Sequence, residues 1–414
     1  MEVKPGYKRS EVGVIPEEWD VRRFCEIGTL TKGRGLLKED IKHGGSIPAI
    51  PYTSLYTDFS EILDYSLIKW FIDDETKTVI VREPCLLFAS SSNMEANTGK
   101  ASAIVGTNPV AIGREVIIFK TSADCEFISY LLSTGPYRKR TLTLARGTTI
   151  KHVYPATFYA YPIAHPPVPE QRAIAKALSD VEGLLAGLDR LIHKKRDLKQ
   201  AALQQLLTGQ TRLPGFYGEW KVKRLDALAD IRSGGTPSTG EPSFWDGDIP
   251  WCTPTDITAL RGHKYLGETA RMITELGLAA SSAEIIPAQS VIMTSRATIG
   301  ECAINDFSVS TNQGFKNFVP FESTDVDYLY YLLGTQKQGF ISLCGGSTFL
   351  EIGKAQLAAY KVRLPSTKAE QTAIAKVLTD MDTELAALER RREKTRAIKQ
   401  GMMQELLTGK VRLV

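Results

Sequence analysis

The stretch EQRAIAKALSD at residues 170–180 returns as EQTAIAKVLTD at residues 370–380, and the match runs on without a gap to LLTGQTRL (206–213) and LLTGKVRL (406–413). Laid over one another, segments 170–213 and 370–413 are identical at 23 of 44 positions, more than a shared helical pattern would produce. In the first copy Ile174, Leu178, Val181, Leu185, Leu188 and Ile192 are spaced by alternating steps of four and three, the a/d seam of a helix that packs on another helix. The second copy runs Ile374, Leu378, Met381, Leu385 and Leu388 and breaks at Arg392. Beyond the break the apolar positions shift phase, to Leu198, Leu203, Leu206 and Leu207 and to Ile398, Met402, Leu406 and Leu407, so that Lys195 and Lys199, or Thr395 and Lys399, interrupt the seam. Such a break reads as a stutter within one continuous helix.

The helix ends are legible. Pro169 stands where a first-turn proline is tolerated, Thr367 with Glu370 forms a T-x-x-E capping box, and Gly209 and Gly409 supply the stops. A helix of about 39 residues is close to 58 Å long at roughly 1.5 Å per residue. Two such apolar stripes are covered most simply by each other, which predicts an intramolecular antiparallel coiled coil holding the flanking segments at opposite ends of a rigid spacer.

The repeat divides the chain into four in the order A-B-A′-B′: globular segments at 1–165 and 214–365, helical segments at 166–213 and 366–414. At 414 residues two or more domains are expected, because single cores rarely grow past about 250–300 residues. The globular segments match loosely. EEWDVRRF (17–24) parallels GEWKVKRL (218–225), SIPAI (46–50) parallels DIPWC (248–252), and ARGTTIKHV (145–153) falls near CGGSTFLEI (344–352). Runs such as TVIVREPCLLF (78–88), VIIF (116–119), SVIM (290–293) and FKNFVPF (315–321) read as strands between Gly, Pro, Ser and Thr turns, with helices near Asp124–Thr134 and Val326–Thr335. The expected fold class is α/β, two globular units of mixed or antiparallel sheet joined by the paired helices. Trp19 and Trp220, placed alike, read as core.

Composition excludes several classes. With 43% hydrophobic and 24% charged residues and a net charge of +4, any nucleic-acid affinity must come from local clusters. The six cysteines lack metal-site spacing and read as reduced, mostly buried thiols. The first residues carry no apolar core of a signal peptide and no run could span a bilayer, which implies a cytoplasmic protein. The phosphate-loop, nucleophile-elbow, H-E-x-x-H and dinucleotide fingerprints are missing, NTGK (97–100) lacking the upstream glycine; the Asn/Asp-Pro-Pro-aromatic motif of amino-methyltransferases is missing too. No catalytic residue and no metal ligand is expected.

Polar loops carry the remaining signal. LTKGRG (30–35) and IRSGGTP (231–237) form one corresponding pair, offering Lys32, Arg34, Arg232, Ser233 and Thr236 to phosphates. ASSSNMEANTGK (89–100) and TSRATIG (294–300) form a second, with Ser91, Asn93, Asn97, Ser295, Arg296 and Thr298; Asn and Arg are the side chains that pair bidentately with adenine and guanine. ARGTTIK (145–151) and GGSTFLEIGK (345–354) form a third, with Arg146, Thr148, Thr149, Lys151, Ser347, Thr348 and Lys354, and Asn312 and Gln313 complete the set. The basic runs RLIHKKRDLK (190–199) and RRREKTRAIK (390–399) read as solvated or protein-docking faces.

Together, the paired helix starts and L-L-T-G-x-x-R-L ends, with W-x-V-x-x-L/F, S-R-A-T-I-G, N-Q-G-F-K (312–316) and G-S-T, make the chain resemble the specificity subunit of type I restriction–modification systems over essentially its whole length. The first head departs from the pattern, with SSSNMEANTG in place of SRATIG and no N-Q-G-F-K. The resemblance implies two target-recognition domains, each reading one half of an asymmetric bipartite site in double-stranded DNA. It implies a coiled coil that sets the gap and docks two modification (methyltransferase) subunits, with restriction subunits joining them. S-adenosylmethionine, ATP and Mg are then expected on the partners and no cofactor on this chain. The alternative is a coiled-coil scaffold that binds proteins without reading DNA.

Overall fold

The computed structural model describes residues 4–344 and 350–413. It contains two compact units, Met1–Asp189 with Arg391–Val414, and Arg190–Arg390. Both long helices are continuous, Val168–Thr208 and Lys368–Leu406, and each gives its first half to one unit and its last part to the other. Within the second unit Arg212 meets Glu370, Lys199 meets Asp382 and Lys195 meets Glu384; within the first, Arg412 meets Glu170 and Lys399 meets Glu182. One number rises as its partner's falls, so the helices pair antiparallel. Among the described residues no helix is long and apolar enough to cross a membrane.

The predicted seam is the buried face. Ile174, Leu178, Leu188, Ile192, Ile374, Leu378 and Leu385 are buried, and Val181, Leu185, Met381 and Leu388 are partly so. Past the stutter the sequence reading needs correction, because Leu198 and Ile398 are 47% and 49% exposed. The lysines taken for an interruption turn inward in their place. Lys399 lies between Glu61 and Glu182, each at 3.5 Å, and over the Tyr130 ring; Lys199 pairs with Asp382 and lies over Tyr331. Tyr130 and Tyr331 donate to Glu182 and Asp382 at 2.6 and 2.5 Å. Each unit thus has a lysine–carboxylate–tyrosine layer where an apolar a/d pair would otherwise stand, and burial beside these acids raises both tyrosine pKa values.

Three of the residues that recur in both copies, the Glu-Gln pair that opens each repeat and the arginine near its end, build one repeated joint. Trp19 donates to Glu170 at 2.9 Å and Arg412 grips both oxygens of Glu170, at 2.6 and 2.9 Å. In the second unit Trp220 donates to Glu370 at 3.1 Å and Arg212 grips it at 2.6 and 2.8 Å. The forked guanidinium matches a carboxylate, and both glutamates are almost wholly out of water. Gln171 and Gln371 accept from the backbone N–H of Asp124 and Asp325, the caps of the head helices Cys125–Ser133 and Val326–Thr335. The capping box expected at Thr367 is therefore only half made: Glu370 N–H donates to Thr367 Oγ1 at 3.4 Å, but the Glu370 carboxylate is taken by Arg212 and Trp220.

Gly209 and Gly409 end the helices in the left-handed region, at φ 72° and 70°, and a Cβ on Gly409 would come within 2.4 Å of the Pro16 ring. Gly409→Ala is expected to destabilise by at least about 1–2 kcal/mol in thermal unfolding. Gly401→Ala, in open space on the same helix, is expected to stabilise by about 0.5–1 kcal/mol.

Each head is built on one antiparallel sheet with a common strand order. In the first unit it runs Gly28–Lys32, Val116–Thr121, Cys85–Ala89, Ala101–Ile104; in the second, Ala229–Ser233, Phe315–Pro320, Val291–Thr294, Cys302–Asn305, with Tyr265–Leu266 added in parallel at the edge. A second sheet pairs Ile47–Ile50 in parallel with Val110–Ile112, as Trp245–Cys252 pairs with Ser310–Thr311, which places SIPAI and DIPWC alike. EEWDVRRF and GEWKVKRL also correspond: Asp20–Arg23 and Lys221–Arg224 each pair with the strand that leads into a long helix. TVIVREPCLLF is two strands, Val79–Val81 and Cys85–Ala89, in different sheets, since Pro84 cannot donate to a ladder. Cys85, Cys125 and Cys252 are buried, Cys302 and Cys344 half-buried and Cys25 exposed, and burial pushes the Cys85 and Cys125 thiols up to about 12. Trp19 and Trp220 are buried, as read.

Candidate nucleic-acid interface

The three loops of each head, far apart in sequence, meet at one end of the antiparallel sheet. In the first unit the meeting point is Ser90, just past strand Cys85–Ala89. Its N–H donates to the Glu115 carbonyl at 3.1 Å and its carbonyl accepts from Val153 at 2.8 Å. Its hydroxyl donates to Glu115 at 2.9 Å, and Glu115 also holds Lys32 at 3.2 Å. One serine and one glutamate thus tie the loops at 30–35, 89–100 and 145–153 together. Ser91 and Ser92 pair in antiparallel register with His152 and Lys151, and Arg146 closes a bridge to His152 across Gly147, whose φ of 109° suits glycine.

The second unit repeats the arrangement at Ser295. Its N–H donates to the Gly314 carbonyl at 2.7 Å and its carbonyl accepts from Ile352 at 3.1 Å. Gly235 N–H donates to Thr311 at 2.9 Å and Thr236 bonds Gln313, which draws in the loop at 231–237. Arg296 reaches Glu351 at 2.9 Å, and the next residue, Ala297, takes the left-handed region at φ 55°.

The candidates separate by exposure. Arg34, Asn93, Arg146, Thr148, Thr149, Arg296, Thr298, Gln313 and Lys354 are exposed, and Lys32 is exposed on its ion pair with Glu115. Lys151, Arg232, Ser233, Thr236 and Asn312 are half-buried. Asn97 is half-buried too, and its amide points at the Met94 sulfur at 3.7 Å. Ser91 and Ser295 are buried; they shape the loops. Asn312 accepts from Gly314 N–H at 2.8 Å and so forms its own turn. Ser347 and Thr348 lie outside the described residues.

Arg232 does not correspond to Lys32: it lies opposite Asn317 and is tied to Asp230 at 2.7 Å along its own strand, whereas the place of Lys32 is taken by Ser233. The mid-helix basic runs are partly neutralised within each unit, since Lys195, Arg196 and Lys199 meet Glu384, Glu389 and Asp382, and Arg392 meets Asp189.

Sequence reasoning missed Ser90 and Glu115, which had no signal beyond a serine run and a single acid, and Lys316, which stood in the N-Q-G-F-K segment. It also missed the apolar rim of the first unit, Met94, Ile150 and Tyr154, exposed by 58%, 49% and 48%. Cationic tips, amides and exposed apolar side chains on one sheet end are the groups that meet phosphates, base edges and thymine methyls.

The family model described as "Type I restriction modification DNA specificity domain" matches twice, at residues 16–194 and 217–397. The type I restriction enzyme MjaIX specificity subunit of Methanocaldococcus jannaschii is 37% identical over 166 residues, 40% of this chain and 38% of that protein. The MjaVIII specificity subunit of the same organism is 26% identical over 96% of this chain and 94% of its own length. The EcoR124I/EcoR124II specificity subunit of Escherichia coli is 27% identical over 54% of this chain and 55% of that protein. Among solved structures, the S subunit of a type I restriction-modification system from M. genitalium covers 98% of both chains with a TM-score of 0.59 at 15% identity, a likeness of fold.

Proposed function

Since this chain belongs to the type I restriction modification DNA specificity family, we propose that it is the DNA-recognition subunit of such a system, each unit reading one half of an asymmetric bipartite site. The carrying observation is the twofold repeat of both family match and loop cluster: the Ser90 and Ser295 frames agree in backbone bonding while the side chains around them differ. A common frame with unlike loops is what two unlike half-sites require. The repeated joint at Glu170 and Glu370 presents nearly the same helix surface twice, which suits two copies of one modification subunit, with restriction subunits joining that complex. In this reading the paired helices set the unread gap. Base flipping, methyl transfer from S-adenosylmethionine, and ATP- and Mg-dependent cleavage belong to the partners.

The test is to express the chain with the modification subunit encoded beside it and map N6-methyladenine in host DNA. One gapped, asymmetric motif should be methylated only when the chain is present. A pattern indifferent to the chain would leave the helices as a protein scaffold and end the recognition reading.

A further inference from the structure

One cross-strand pair at the loop end of the antiparallel sheet holds a lysine in both units, but on opposite strands. In the first unit it is Lys32 opposite Ile117; in the second, Ser233 opposite Lys316. The register shows the pairs to be equivalent. Ile117 also faces Phe88 and Lys316 faces Met293, two residues short of Ser90 and Ser295, which make the same backbone bonds. Directly opposed residues share a sheet face, so the amine has changed strands while keeping its place.

Lys316 is only 5% exposed, and burial lowers its pKa. Its ammonium donates to the Ser295 hydroxyl at 3.5 Å and the Phe315 carbonyl at 3.3 Å, and among the described residues it has no ion pair with a carboxylate. The nearby acid, Glu351, is engaged by Arg296. Where the first unit has Glu115 to neutralise Lys32, the second has Gly314. A buried ammonium without a counterion opposes folding, and Ile117, fully buried at the equivalent position, shows that the sheet packs well with an apolar side chain there.

We propose that the Lys316 ammonium, held by the Ser295 hydroxyl, meets one backbone phosphate of the DNA half-site read by the second unit, and that Lys32, held by Glu115 beside Ser90, serves the same purpose in the first. The assignment rests on the recognition reading above. A phosphate contact carries no base information and fixes the strand in register, which accounts for a lysine kept at one place in two heads whose loops differ. Glu115 competes for Lys32, so its loss matters less than that of Lys316.

The test uses the chain assembled with its modification subunit and a duplex carrying the methylated motif, with binding measured between about 50 and 200 mM salt. Lys316→Met should bind roughly tenfold more weakly, with a salt slope reduced by about 0.9, an unchanged motif, and an unfolding midpoint equal to or above the parent's. Lys316→Arg should restore the slope. An unchanged slope and affinity, or a preference altered at one base pair, overturns the phosphate assignment; so does a fall in stability with binding intact. Failure of the parent complex itself to select the motif would instead remove the recognition reading, and this inference with it.

Discussion

Replacing Arg212 by alanine should lower the unfolding free energy of the chain by about 3–5 kcal/mol, because it strands a buried carboxylate. The Glu370 side chain is 4% exposed and receives two charge-assisted bonds from Arg212 and one from Trp220. Without the guanidinium one indole N–H remains, and the charge must stay buried, draw in water or take up a proton. Pairing Arg212→Ala with Glu370→Gln should recover most of the loss, since the amide keeps an acceptor for Trp220 and carries no charge. A double-mutant cycle in urea measures the coupling. A loss below about 1 kcal/mol would place this joint among ordinary surface ion pairs. The equivalent joint at Arg412 and Glu170 should behave alike, with Glu18 as an added partner at 2.9 Å.

Exchanging residues 214–365 for the corresponding head of a relative should change one half of the methylated motif completely and leave the other half as it was. The structure sets a condition on that exchange. The side chains of Trp220, Lys264 and Tyr331 bond Glu370, Thr379 and Asp382 of the second long helix, and the Asp325 backbone N–H bonds Gln371, so the incoming head must bring the same three side chains and the same helix cap. A head lacking them should fail to dock and abolish methylation, whatever its loops read. Sequencing the modified bases distinguishes the outcomes, and a change in both half-sites would contradict independent reading by the two units.

Much of this was legible in the residues. The repeat at 170–213 and 370–413, the a/d spacing of Ile174 to Leu188 and of Ile374 to Leu388, and Gly209 and Gly409 predict two continuous helices with one buried face, because periodicity and caps act over a few neighbouring residues. Strand positions in the heads were readable for the same reason, and boundaries slipped where Pro84 divides what looks like one run.

The inward turn of Lys199 and Lys399 was not readable, since nothing near them in sequence shows Asp382 or Glu182 waiting across the helix pair. Nor was the convergence of loops on Ser90 and Ser295, or the exchange of a lysine between strands at Lys32 and Lys316. The sequence by itself determined the helices, their shared face and the twofold plan, all consequences of local spacing. Tertiary structure alone decided which polar groups are buried with partners and which face outward, because that depends on register between strands more than 80 residues apart.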